Sequence, residues 1–184
     1  NILVIMDAKR GDIGSTSDAY AKAWLGKNSP FGANALTVNP WMGLETLFPF
    51  IEVAKKNKRG VFILLKTSNA GSKDIQDLLV NNRAVFLHLA DLLQRDTATN
   101  LGKFGYSNIG VVVGATENKL RLMRQIDPSL LFLIPGVGTQ GGSYPDAYEK
   151  GKNTNHLAII NVSRHIIYAS PTKKDMARTI NNAI

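Results

Sequence analysis

Short apolar, β-branched runs alternate with longer stretches of helical period along the whole chain, and this alternation limits the fold more than any other feature. The runs lie at 2–6, 35–38, 61–65, 109–113, 130–134 and 158–160. Helical periodicity occupies 17–27, 43–57, 73–99, 116–126, 143–151 and 172–183. Asp74, Glu117 and Ser143 stand where a helix would start and could accept bonds from its first free amides. Strand–helix alternation repeated six times predicts a parallel sheet with helices outside it.

Six such units do not close a barrel of eight. The sequence opens on Asn1 within an apolar run, so the reading expects an upstream continuation. It predicts an α/β fold, a (β/α)8 TIM barrel whose first two βα units are missing, forming one N-terminally incomplete domain over 1–184. In such barrels a phosphate site is often built from the loops after the seventh and eighth strands. Here those loops are "PGVGTQGG" (135–142) and "NVSRHIIY" (161–168). An open doubly wound sheet is the alternative.

The 184 residues suffice for a sizeable core, and 44% hydrophobic with 20% charged residues is ordinary for a globular chain. There is no cysteine, which excludes disulfides and thiolate metal sites. No apolar run approaches the ~20 residues of a membrane span. A net charge of +8 favours anionic partners. The cations are spread, as in "AKKNKRG" (54–60) and "TKKDMAR" (172–178), without interleaved aromatics. They read as solvated helix ends and faces rather than a nucleic-acid surface.

The first candidate site is "VIMDAKRGDIG" (4–14). Strand residues two apart share a face, so Asp7 and Lys9 point the same way, with Asp12 three residues on. Carboxylates flanking a lysine favour its ammonium form. Such a lysine serves developing negative charge and proton donation better than Schiff-base chemistry. The plainer reading is a salt-bridge cluster at a strand end. The glycine loop places four glycines within 136–142, with Gln140 beside them, and Arg164 offers a fork of donors suited to phosphate. Thr67, Ser68 and Asn69 end a strand in "LLKTSNAG" (64–71), either as ligand-binding hydroxyls or as a turn. In "TVNPWMG" (37–43), Asn39 and Pro40 stand at a strand end, and Pro40 and Gly43 read as turn residues. His88, His156 and His165 show no metal spacing.

Together, "DAKRGDIGST", "LTVNPWMG", "LLKTSNAGS", "PGVGTQGG" and "NVSRHIIYAS" resemble the orotidine 5′-monophosphate decarboxylase family, in the bacterial branch with the KRGD form. The resemblance runs from about residue 2 to the last helix. It implies decarboxylation of orotidine 5′-monophosphate to uridine 5′-monophosphate, in the cytoplasm, without metal or organic cofactor. Asp7, Lys9 and Asp12 would match three members of an alternating Lys-Asp-Lys-Asp array. Asp12, with Ile13 and Thr16, would reach the partner subunit's site in a homodimer. Ser68 would bond the pyrimidine, Gln140 would bridge ring and phosphate, and Ser163 and Arg164 would hold the phosphate. The array's first lysine and a ribose-contacting aspartate would precede residue 1. Two rivals are a Mg2+-dependent sugar-phosphate decarboxylase or aldolase-type relative, and a basic nucleic-acid-binding domain.

Overall fold

The computed structural model describes residues 2–99, 101–115, 120–138, 141–153, 155 and 157–168. Six strands form one sheet: β1 (Ile5–Arg10), β2 (Ala35–Val38), β3 (Gly60–Lys66), β6 (Ile109–Val113), β7 (Leu131–Pro135) and β8 (Ile159–Asn161). They lie in that order and every neighbouring pair is parallel. Helices α1 (Gly14–Leu25), α2 (Phe48–Lys56), α3 (Val85–Thr99), α4 (Leu120–Ile126) and α5 (Tyr144–Gly151) make the crossovers. A short α6 (Arg164–Ile167) follows β8.

The large core lies between sheet and helices, where Leu36, Val38, Ile63, Leu65, Val111 and Ile134 meet Leu25, Phe50, Phe86 and Leu93. A smaller cluster of Ala35, Phe62, Val112 and Leu133 covers the other face of the strands. Both faces of the sheet are therefore apolar, as a parallel sheet requires. The two outermost strands, β1 and β8, contribute to one cavity described below, so the sheet is curved into an arc.

The expected strands are present, but β1 begins at Ile5 rather than residue 2 and runs to Arg10. Ile2 and Leu3 are exposed, and Val4 is tied instead to the Asn34 side chain through its amide, at 2.8 Å. Asp7 and Lys9 consequently belong to the strand itself.

The expected helix over 73–99 is three elements. A 3-10 turn (Ala70–Asp74) is followed by a hairpin of β4 (Leu79–Val80) and β5 (Arg83–Ala84), and α3 starts only at Val85. Asn81 and Asn82 both take positive φ, 51° and 59°, the conformation of a tight two-residue hairpin turn. Asp74 thus closes the 3-10 turn instead of opening a helix. His88 on α3 pins the hairpin through its Nε2, 2.9 Å from the Val80 carbonyl.

Elsewhere, α1 starts at Gly14, three residues before its expected beginning, and stops before Gly26. The stretch 43–57 is a 3-10 turn (Leu44–Thr46) and then α2, with Pro49 in the first helical turn. Ser143 does precede α5, but its side chain makes no capping bond. The expected helix at 172–183 and Glu117 lie outside the described residues.

Arg124 clips α4 to its surroundings. Its guanidinium donates to the carbonyls of Asp127 (3.0 Å), Leu130 (2.6 Å) and Gly151 (2.6 Å), and it stacks over Phe132 at 3.7 Å. Burial draws the guanidinium down to about 10, with Asp127 opposing the shift. Arg124→Met leaves three carbonyls without their donor. We expect it to lower unfolding free energy by about 2–4 kcal/mol in urea titrations. A loss below about 1 kcal/mol would show that these bonds are replaced by water.

Candidate functional site

At the carboxyl end of β1 the strand is bulged. Its register against β2 shifts between Met6 and Arg10, and Lys9 takes φ 47°. A bulge re-aims side chains, and positive φ in a lysine costs about 1 kcal/mol, so local structure must hold it there. Thr37 does so. Its hydroxyl accepts the Lys9 amide at 2.9 Å and donates to Asp7 Oδ1 at 2.9 Å. The same Asp7 oxygen accepts Lys9 Nζ at 2.6 Å. Asp7 and Lys9 therefore meet as the two-residue spacing predicts, although through a bulge rather than regular pleating. Both are about half exposed.

Asp12 does not complete the flank expected around the lysine. Its Oδ1 accepts the Ile13 amide at 2.8 Å, and no ion pair joins it to Lys9 among the described residues. Ile13 precedes α1 and Thr16 lies in its first turn, both exposed. These three residues sit apart from the cavity that Asp7 lines.

That cavity, of about 170 Å3, is walled by Asp7, Gly136, Val137, Asn161, Ser163 and Arg164. It joins the tip of β1 to the loops after β7 and β8. Its volume is below the ~300–1,000 Å3 of whole-ligand pockets and suits a group such as a phosphoryl. Ser163 donates to Asn161 Oδ1 at 3.0 Å, which fixes the start of α6. Arg164 is exposed and pairs with no carboxylate among the described residues.

The glycine loop is ordered by its own bonds. Gly136, Gly138 and Gly141 all take positive φ. The amides of Gly138, Gly141 and Gly142 donate to the carbonyls of Gly142, Gly138 and Gly136. Those three amides are therefore bonded within the loop. Gln140 lies outside the described residues.

Ser68 follows β3 and does not line the Asp7–Arg164 cavity. It is packed against Gly114 beyond β6, where an added Cβ would stand 2.6 Å from Ser68 Cβ. Thr67 donates to Asn69 at 2.7 Å and accepts from Gln76 at 3.0 Å, so both strand-tip residues are held in a local network. With Asn39 and Trp41 they edge a second cavity of about 530 Å3. Behind them, buried Lys66 binds Ser72 at 2.8 Å and Asp77 at 3.3 Å, anchoring the loop after β3.

Three contributors escaped the sequence reading: Thr37, Asn161 and Gly114. Thr37 carried a signal, since it is the one polar residue of a strand buried throughout. Thr37→Val keeps the shape and removes both hydroxyl bonds. It should destabilise the chain by about 1–3 kcal/mol, whereas Thr37→Ser stays within about 1 kcal/mol of the parent in chemical denaturation. Equal stability of the two variants would remove the claim that Thr37 holds the bulge.

These features define a parallel β/α barrel arc with an acid–lysine pair on its carboxyl rim and an arginine that has no carboxylate partner among the described residues. The sequence pattern of the orotidine 5′-phosphate decarboxylase / HUMPS family matches residues 1–180, and the chain belongs to that family. It is 42% identical over 173 residues to the orotidine 5′-phosphate decarboxylase of Rhodopirellula baltica, covering 91% of this chain and 57% of that protein. The decarboxylase of Caldicellulosiruptor bescii is 40% identical over 176 residues, with 91% and 58% covered. The solved structure of Leishmania donovani OMP decarboxylase superimposes with a TM-score of 0.77 at 34% identity, covering 99% of this chain and 67% of that one. The chain thus spans just over half the length of these curated relatives.

Proposed function

We propose that this chain forms the greater part of an enzyme that decarboxylates orotidine 5′-monophosphate to uridine 5′-monophosphate. The observation that carries the reading is the shared cavity: Asp7, bonded to Lys9, faces Ser163 and Arg164 across it. The names of the curated relatives support the same substrate.

In this mechanism the phosphate is gripped by Arg164 and the reacting ring lies toward Lys9. The C6–carboxylate bond breaks, carbon dioxide leaves, and the electron pair remains on C6. The ring offers that pair little delocalisation, so stabilisation is electrostatic, from a cation already in position. Lys9 then transfers a proton to C6 and is recharged from solvent. Asp7 orients the ammonium through its 2.6 Å bond. The phosphate grip supplies binding energy for use at the distant reacting atoms.

The working enzyme in this reading is a cytoplasmic homodimer of the full-length chain, and needs no metal. Asp12, Ile13 and Thr16, which lie away from their own chain's cavity, are the residues offered to the partner. The test is turnover of orotidine 5′-monophosphate by the full-length protein with excess chelator. Retained activity supports the reading, and activity restored only by Mg2+ would favour the sugar-phosphate relatives.

A further inference from the structure

At the opposite end of the sheet, where β3 and β6 begin, the basic stretch 54–60 meets the loop 101–108. Between them lies a cavity of about 800 Å3, lined by Lys55, Lys58, Arg59, Lys103, Phe104 and Tyr106 among others. The seven residues of β3 separate it from the rim by roughly 20 Å. Its lining carries, among the described residues, four cations and no carboxylate. Among the described residues, no carboxylate pairs with Lys58, Arg59 or Lys103.

Both walls are held in shape by backbone bonds. Lys58 takes φ 56° where α2 ends, a conformation in which glycine or asparagine is usual. The amides of Asn57, Lys58 and Arg59 donate to the last carbonyls of α2, so those oxygens are already satisfied. In the other wall, Leu101 bridges Ser107, Gly102 donates to the Tyr106 carbonyl at 2.7 Å, and Gly105 turns with φ 78°. This presents Lys103 and Phe104 together at the loop tip, the ammonium 4.7 Å from the ring centroid. Phe104 is 73% exposed, so its ring face is open to a ligand beside the Lys103 ammonium. Backbone strain held in place by its surroundings, as at Lys58, clusters at ligand sites.

We propose that this cavity binds a nucleoside phosphate, with the phosphates on Lys58, Arg59 and Lys103 and the base against Phe104. The volume falls in the range of small-ligand pockets. Adjacent cation and ring match a ligand that carries both an anion and an aromatic face.

The experiment is calorimetric titration of the full-length protein with ATP at low salt, beside tripolyphosphate and a single-stranded oligonucleotide. Lys103→Ala and Lys58→Gly should each weaken ATP about tenfold, the factor expected for one charge-assisted bond. Glycine adopts positive φ freely, so Lys58→Gly does not endanger folding. Phe104→Ala should weaken ATP and leave tripolyphosphate unchanged. Arg164→Ala, at the other end of the barrel, should leave ATP binding unchanged even if it destroys the phosphate grip proposed there. The proposal is overturned by absence of ATP binding at millimolar concentration, by loss of binding in Arg164→Ala alone, or by a Phe104→Ala protein that binds ATP normally. An oligonucleotide binding tenfold tighter than ATP would equally overturn it in favour of nucleic acid.

Discussion

Lys9→Ala in the full-length protein should lower kcat for orotidine 5′-monophosphate by at least about 10,000-fold, followed by the change in pyrimidine absorbance. Two separate contributions are lost at once. A preorganised charge beside a developing anion is worth about 100–1,000-fold, and general-acid proton delivery about 100–10,000-fold. The side chain is half exposed and its only described partner is Asp7, so the fold should survive its removal. Circular dichroism and thermal melting would establish that. Lys9→Arg separates the contributions, since it retains a cation but gives up a proton reluctantly. Activity within tenfold of the parent in Lys9→Ala would show that another group carries the reaction.

Arg164→Ala should reduce kcat/KM by about 100–1,000-fold. Two charge-assisted bonds to a phosphate, at about 1.5–2 kcal/mol each, account for that range. In the proposed mechanism the guanidinium touches no reacting atom. If remote binding energy is used only for affinity, KM rises and kcat is untouched; if it also positions the ring, kcat falls as well. Arg164→Lys should recover part of the loss as a point charge without the fork. Full efficiency in Arg164→Ala would remove the phosphate from this end of the cavity.

The fold was legible where the code is periodic and the segment is buried on both faces. Runs such as 61–65 and 109–113, short, β-branched and apolar throughout, suit a parallel strand covered on both faces, and β3 and β6 lie there. The hairpin at 79–84 was hidden because Leu78, Leu79 and Val80 continue an apolar pattern compatible with helix. The turn is decided by two asparagines accepting positive φ, which spacing does not reveal. At the site, the Asp7–Lys9 pair and the Arg164 rim could be read from charges at strand ends. The Thr37 hydroxyl that holds the bulge could not be assigned, because its role depends on register with a neighbouring strand 28 positions from Lys9. In the glycine loop, composition did not reveal that the amides of Gly138, Gly141 and Gly142 bond to carbonyls of the loop itself.

All six strands of the sheet run the same way. Residues from the first and last strands, nearly the whole chain apart, therefore arrive on a single circumference without any long-range search for a special loop. The rim carries the side chains that meet the cavity, while joints beneath it, such as that of Arg124, hold the scaffold. At Thr37 the two duties meet, because one hydroxyl both fixes a backbone turn and steadies a carboxylate at the rim.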